Sequence, residues 1–386
     1  MSQTAVPAVW MRGGTSKGVF FRPEDLPADR SERDRLLLRV LGSPDPYGSQ
    51  MDGLGGATSS TSKVCVVGPS ERTDTDVDYL FGHVSIREPC IDYSGNCGNL
   101  TAAVAAFAVD QGLMAVPEGV GAVRVRIYQC NLDKHIEALV PVAPDGQAAV
   151  EGDYPVDGVS HTGARIDVDF LDPAGEAGAL PTGSPVDALE IPGVGRVETT
   201  LVDAGNVTVF CRARDFGCTA TETPAVLNAD ADLLDRLEAV RAAAALRLGL
   251  VDTTAQASRS RPATPKIALV GPPAEYTSTS GGVVARDDVA LCARILSMGR
   301  AHHAFTGTGA VSLAAAAALP GTLVAEALGG ERNDQSFRLG HAAGRMDLAA
   351  RVHQEGAQWY AERVTLARSA RALMRGAVLV PALDKA

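Results

Sequence analysis

Two side chains stand out by type and position, Lys63 and Cys97. The chain has 35 basic residues, and only five are lysines: Lys17, Lys63, Lys134, Lys266 and Lys385. Lys63 follows a Gly/Ser/Thr loop, Gln50–Ser62 (QMDGLGGATSSTS), and opens the apolar run Val64–Val67. An amine at the mouth of a buried strand is partly desolvated, which lowers its pKa toward that of a general base. Cys97 lies in the turn Asp92–Asn99 (DYSGNCGN), ahead of Leu100–Gln111, which is apolar on nearly every side. A helix apolar all round is buried. The partial positive charge at its start stabilises a thiolate, so the position suits a reactive cysteine. The plainer readings are a surface lysine at a strand end and a buried structural cysteine.

Three turns frame these residues: Arg12–Gly18 (RGGTSKG), Gly53–Lys63 and Ser94–Asn99. Each offers backbone N–H groups and small hydroxyls, which bind carboxylates or phosphates, above all at a helix N-terminus. One such turn alone reads as a tight turn. Three in one half of the chain, with Thr306–Gly309 (TGTG) in the other, favour an anion site. Other chemistries are disfavoured. GLGGATSSTSK lacks the Gly-Lys-Ser/Thr ending of a phosphate loop, so no nucleotide site is expected. There is no H-E-x-x-H, and His302 and His303 are adjacent, so no metal site is expected. No G-x-S-x-G elbow surrounds Ser94. Arg286 and Arg294 fit a solvated helix face as well as a site. Cys65, Cys211 and Cys292 lie in apolar patterns and read as core.

The elements that must position these groups alternate in a recognisable order. Ala5–Trp10 and Val19–Arg22 read as strands, joined as a wide hairpin with Arg12–Gly18 at its tip. Pro27–Leu41 has helical periodicity and Gly42 stops it. Lys63–Val67, Val77–Ile86, Val123–Tyr128, His135–Val142 and Ala164–Phe170 read as strands. The Gly/Pro/Ala-rich stretch Asp172–Pro192 reads as a domain boundary. Strands over Val197–Arg212, a helix Ala229–Leu248, a strand Lys266–Val270, a second helix Asp287–Leu296 and the Ala-rich helix Ala310–Leu319 follow, and strands close the chain. The second half repeats the order of the first: glycine turn, then an all-round apolar helix, amid antiparallel strands. The expected class is α+β, with two similar domains, each a curled, mostly antiparallel sheet around a central helix. The domains are drawn as 1–185 and 186–375, with the last strand, 376–386, joining the first.

Composition bounds the function. The length of 386 residues allows about two domains at ~150 residues each. The net charge of −11 disfavours a nucleic-acid surface. Seven cysteines at irregular spacing, with no C-x-x-C, favour reduced thiols in the cytoplasm. No signal peptide is read at the N-terminus, and Ala310–Leu319 is far short of the ~20 apolar residues of a membrane span.

At these residues the sequence resembles the PrpF family of methylaconitate isomerases. The segments that carry the resemblance are WMRGGTSKGVFF (10–21), QMDGLGGATSSTSKV (50–64), DYLFGHVSI (78–86), DYSGNCGNLTA (92–102), PKIALVGPP (265–273), LSMGRAHHAFTGTGAV (296–311) and SARALMRGAVLVP (369–381). They span the chain in order. The CGN turn more distantly resembles the diaminopimelate epimerase superfamily, which implies two related domains with an active site in the cleft between them. The resemblance implies a cofactor-free allylic isomerisation of a small unsaturated polycarboxylate. Its catalytic lysine falls on Lys63 and its cysteine on Cys97. Two departures stand out. The turn Thr306–Gly309 has no cysteine, which argues against two-thiol racemisation of an amino acid, and GNVTVF (205–210) lacks the proline common after that turn.

On this reading Lys63 removes a proton next to a carboxylate and Cys97 delivers or holds a proton on the opposite side. The carboxylates are expected on Arg12, Gly14, Thr15, Ser16, Lys17, Ser62, Asn96, Gly98 and Asn99. Across the cleft they are expected on Ser280, Arg294, Met298, His302, Thr306, Gly307 and Thr308. A polyanionic substrate raises the pKa of Lys63 and opposes its use as a base, so Lys17 and the helix N-termini are expected to offset it. The preferred substrate is 2-methylaconitate. The alternatives are 4-oxalomesaconate tautomerisation, a methylitaconate or aconitate Δ-isomerase, and a non-catalytic accessory protein to an aconitase-like dehydratase. No cofactor, nucleic acid or membrane partner is expected; the resemblance admits a homodimer and a functional link to such a dehydratase.

Overall fold

The computed structural model describes residues 3–329 and 336–381. The chain forms two compact units. Unit 1 runs to Pro155, takes in His161–Val168, and resumes at Arg368; unit 2 holds Val156–Ser160 and Asp169–Ala367. No described helix is long and apolar enough to cross a membrane.

In unit 1, β1 (Gln3–Gly13) and β2 (Ser16–Phe21) form a hairpin. Gly13 pairs with Ser16, so the tip is the two-residue turn Gly14–Thr15, tighter than the wide loop expected from the glycine content. Gly14 has φ 48°, the left-handed region that glycine adopts without penalty. Helix α1 (Arg30–Leu41) is capped by Asp29 and ends at Gly42, φ 72°. Strands β3 (Lys63–Pro69), β4 (Val77–Val84) and β5 (Ile91–Asp92) precede helix α2 (Gly98–Asp110). Strands β6 (Ala122–Gln129) and β7 (Lys134–Pro141) follow, and β8 (Ile166–Leu171) carries the chain into unit 2.

Unit 2 opens with β9 (Asp187–Ile191), β10 (Gly195–Ala204) and β11 (Asn206–Arg212). Helices α3 (Pro224–Ala229), α4 (Ala231–Arg247) and α5 (Thr254–Ser260) lead to β12 (Lys266–Gly271). The small hairpin β13 (Tyr276–Thr277) and β14 (Val283–Val284) precedes β15 (Leu291–Ser297) and β16 (Arg300–Ala301). Helices α6 (Gly307–Ala318) and α7 (Leu323–Ala327) and strands β17 (Ser336–His341), β18 (Gly344–Glu355) and β19 (Gln358–Arg368) complete it. The last strand, β20 (Ala370–Pro381), pairs with β1 of unit 1. Residues 382–386 of the expected closing strand lie outside the described residues.

The two units share one strand plan. Unit 1 runs β20–β1–β2–β3–β4–β6–β7, with the pairs antiparallel, antiparallel, parallel, antiparallel, parallel, antiparallel. Unit 2 runs β9–β10–β11–β12–β15–β17–β18–β19 with the same series and one further antiparallel pair. The helix α2 sits in the second parallel crossover of unit 1, and α6 in that of unit 2. Both are apolar all round, and Gly98–Val109 of α2 are all buried. In unit 1, the ring of Phe107 of α2 packs at a tilt against that of Phe20 of β2, with centroids 5.5 Å apart.

Two expectations are corrected. The segment read as a helix over Asp287–Leu296 is a short 3-10 turn followed by β15, which hydrogen-bonds to β12 and β17. All seven residues of β15 are buried, so the strand shows no alternation, and an unbroken apolar run does not by itself separate helix from strand. The stretch Asp172–Pro192 is not a linker. Ala174, Ala179 and Leu180 are buried, and the backbone N–H groups of Gly175 and Ala179 donate to Asp203 and Trp359. The chain crosses between units at 155/156, 160/161, 168/169 and 367/368, where composition placed crossings at 185/186 and 375/376.

Candidate active site

The unit 1 centre is built by three elements. Lys63 begins β3, Ser16 begins β2 at the hairpin tip, and Cys97 is the N-cap of α2. All three are buried, Lys63 at 5% exposure. Lys63 Nζ donates to Ser16 Oγ at 3.0 Å and to Cys97 Sγ at 3.3 Å. A buried ammonium or amine needs such partners, since an unsatisfied one is costly. Cys97 supplies no side-chain cap to α2, so its sulfur is turned to Lys63 rather than to the first-turn amides. Those amides have no partner within the helix and carry its partial positive charge. The Cys97 N–H donates to Asn96 Oδ1 at 2.5 Å, and the Thr101 hydroxyl donates to the Cys97 carbonyl at 3.1 Å.

Beside this centre, Asn99 Nδ2 donates to Thr15 Oγ1 at 3.1 Å, and Arg368 Nε donates to Asn99 Oδ1 at 2.8 Å. The Gly14 backbone fits against both: a Cβ there would lie 2.5 Å from Asn99 Oδ1 and 2.7 Å from Arg368 Cδ. Arg12 braces the same turn, donating to the carbonyls of Gly14 at 3.2 Å and Ser369 at 2.8 Å. Burial, with the nearby charge of Arg371, lowers the Arg12 pKa. Burial also pushes the Arg368 guanidinium down to about 10, against the opposing pull of Tyr154 and Cys97. Burial and the neighbouring Cys97 push Cys65 and Tyr79 well up, so both stay neutral around the centre.

Some expected residues stand elsewhere. Alternation along β2 sends Ser16 toward Lys63 and Lys17 to the other face, where its ammonium lies 5.2 Å from the Trp10 ring centroid. Ser62 is fully buried, donating to Val84 O at 2.9 Å and accepting from Gln50 at 2.8 Å; it ties the loop to β4.

Unit 2 gathers a smaller set. Thr306 caps α6, accepting from the Gly309 N–H at 3.2 Å. Gly307 and Thr308 form its first turn, and Thr308 Oγ1 accepts from Asn206 Nδ2 at 2.9 Å. His302, 3% exposed, accepts from the Ala304 N–H at 3.1 Å and stacks on His303. The remaining three are not with them. Arg294 shares its face of β15 with Cys292 and Leu296, which pack with α4, whereas Ile295 turns to Gly309 of α6. Its guanidinium braces Glu222 O at 2.6 Å and covers the Tyr276 ring, and burial lowers its pKa. Met298 lines a small cavity with Leu234, Arg241 and Lys266. Ser280 is at the β13–β14 tip, bonded to Ser278.

Sequence reasoning missed Arg368, Ser369, His83 and Asp92. His83 pairs in register with Lys63, and Asp92 with His83, so three buried polar residues form one cross-strand row. The sequence signal for His83 was a polar residue inside the strand-like run Val77–Ile86, and for Asp92 a carboxylate opening the glycine turn before Cys97. Arg368 lies 269 residues from its partner Asn99, and no local pattern announces it. Among the described residues no group of three or more His, Cys, Asp or Glu could hold a metal ion.

The family model described as PrpF protein matches residues 3–381. The chain is 49% identical to a 2-methyl-aconitate isomerase of Shewanella oneidensis, over 98% of both chains. Among solved structures, a methylitaconate-delta-isomerase is 40% identical, covers 99% of this chain and 97% of its own, and superposes with a TM-score of 0.76. A probable proline racemase from Agrobacterium radiobacter, 12% identical over 99% of this chain and 94% of its own with a TM-score of 0.55, shares the fold alone. The chain, matched end to end in sequence and in fold, belongs to the PrpF family.

Proposed function

We propose that this chain is a cofactor-independent 2-methylaconitate cis-trans isomerase. The observation that carries the reading is the Lys63 amine, 3.0 Å from Ser16 Oγ and 3.3 Å from Cys97 Sγ beside a helix N-terminus. The 49% identity to a 2-methyl-aconitate isomerase favours this substrate over related unsaturated acids.

Lys63, as the free amine, takes a proton from the carbon allylic to the substrate's double bond. The electron pair left behind spreads through that bond onto the conjugated carboxylate, giving a dienolate. The former double bond now has single-bond character and rotates. Return of the proton to the same carbon gives the other geometric isomer; return to the other end of the allyl unit moves the double bond. Atoms balance without an oxidant or a second substrate. Cys97 Sγ, 3.3 Å from Lys63 Nζ, stands on the same side as the base and holds or relays its proton, rather than acting from the opposite face as the sequence suggested. Fixed donors at the Gly14–Thr15 turn, Asn99 and the α2 first turn stabilise the developing charge. The α6 N-terminus of unit 2, Thr306–Thr308, offers donors of the same kind to an anion.

The test is turnover by the purified chain alone, followed by proton NMR in D₂O. Aconitate, 2-methylaconitate, methylitaconate and oxalomesaconate are supplied in turn. The expected result is isomerisation of 2-methylaconitate with deuterium entering the allylic position. No turnover of any of the four without an added protein favours the accessory-protein reading. Preferred turnover of oxalomesaconate or methylitaconate reassigns the substrate.

A further inference from the structure

We propose that Arg368 is a positioning residue of this centre: it sets the direction of a hydrogen-bond relay through Asn99 and Thr15, and it supplies a fixed positive charge beside Cys97. This rests on the proton-transfer reading above.

Arg368 is the first residue of unit 1 after the chain returns from unit 2, and it is 2% exposed. A guanidinium has donors only. Its Nε bond to Asn99 Oδ1 therefore fixes which end of the Asn99 amide faces it, and leaves Nδ2 to donate to Thr15 Oγ1. Thr15 accepts that bond and keeps its own O–H as a donor. A carboxylate only accepts, so a relay that runs from arginine to amide to hydroxyl ends in the polarity a carboxylate needs. The adjoining Ser369 holds the turn from behind, its carbonyl accepting from the Gly14 N–H at 2.9 Å and from Arg12.

The charge answers the difficulty raised by a polyanionic substrate. Lys63 must be neutral to act as a base, whereas a guanidinium stays charged throughout. Lys17, the expected counter-charge, faces the other side of β2. The titratable groups around Cys97 are Lys63, 3.3 Å away on β3, Cys65 and Tyr79 from β3 and β4, and Arg368, which holds Asn99 two residues past Cys97 in the α2 first turn. A fixed cation beside a thiol raises its reactivity toward electrophiles.

The experiment compares Arg368→Gln, Arg368→Lys, Thr15→Val and the Arg368→Lys/Thr15→Val double variant, each checked for native near-UV circular dichroism. The first readout needs no turnover: the rate of Cys97 alkylation by iodoacetamide at pH 7.5, read on the Cys97 peptide by mass spectrometry. Loss of the charge in Arg368→Gln is expected to slow it about tenfold, and Arg368→Lys to restore it to within about threefold. The second readout is kcat and KM. Arg368→Lys keeps the charge but not the planar fork, so KM is expected to rise about tenfold with a smaller change in kcat. The Thr15→Val and Arg368→Lys penalties are expected to be non-additive, because both cut one relay. A wild-type alkylation rate in folded Arg368→Gln overturns the charge role. An unchanged KM in Arg368→Lys, or additive penalties, overturns the relay, and this arm stands even if Arg368→Gln does not fold. Absence of turnover in the wild type counts against the proposed function, while the alkylation result still decides the role of Arg368.

Discussion

Lys63, Ser16 and Cys97 form a triangle whose sides are 3.0, 3.3 and 4.0 Å. Removing one corner at a time separates their roles. Ser16→Ala deletes one acceptor of Nζ and leaves the base in place, so kcat is expected to fall by about tenfold with the fold intact, measured by steady-state kinetics and circular dichroism. Gly14→Ala is expected to be far more damaging. It places an L side chain at φ 48° and drives Cβ to 2.5 Å from Asn99 Oδ1, with Arg368 Cδ at 2.7 Å. A loss of about 2 kcal/mol or more of unfolding free energy is expected, read by urea titration. Lys63 and Cys97 could be read from sequence because the features that mark them are local: a Ser/Thr loop entering an apolar strand, and a turn entering an apolar helix. Lys17 could not be placed, because its side of β2 depends on register, and one residue of shift reverses the face. Arg368 was invisible because its partners come from the first hundred residues.

At the scale of elements, the two central helices differ at one position that matters. Thr306 caps α6 with its hydroxyl, whereas Cys97 gives α2 no side-chain cap. Thr306→Ala is therefore expected to lower stability by about 1 kcal/mol, and Cys97→Ala to lose nothing from capping. No loss of stability in Thr306→Ala by urea titration would contradict the cap. A second element-level device joins β11 to α7: Glu326 accepts from Arg212 Nε and Nη2, the latter at 2.6 Å, and from Arg214 Nη2 at 2.9 Å. These arginines, Arg212 first, hold the Glu326 carboxyl below its ordinary value of 4.5. A lowered carboxyl stabilises the fold above its unfolded pKa, and the gain is lost as pH falls through the lowered value. The group is 43% exposed, so the gain is expected to be only about 0.5 kcal/mol at pH 7. Comparison of Glu326→Gln with wild type should show that difference at pH 7 and none near pH 3. A difference that persists in acid would point to lost packing instead. The helices and most strands were legible from periodicity, caps and turns. β15 was not, because a strand buried on both faces carries no alternation to read.

At the scale of the molecule, the repeat inferred from the order of turns and helices is a repeat of strand plan. Equivalent positions now carry different residues: Cys97 against Thr306 at the helix N-caps, Ser16 against Asn206 at the second hairpin strands. Under the proposed mechanism, the one-sided placement of the thiol puts proton transfer in unit 1. Composition misplaced the boundary because glycine, alanine and proline signal irregular backbone, and irregular backbone packed inside unit 2 has the same composition as a linker. The net charge of −11 is compatible with a local cluster of Arg12, Lys63 and Arg368 around one turn. The central claim is that Lys63 is the base, and the direct measurement is deuterium wash-in from D₂O into 2-methylaconitate by Lys63→Ala against wild type. Exchange slowed by about a thousandfold in a folded variant is the predicted result. Exchange at the wild-type rate would contradict it.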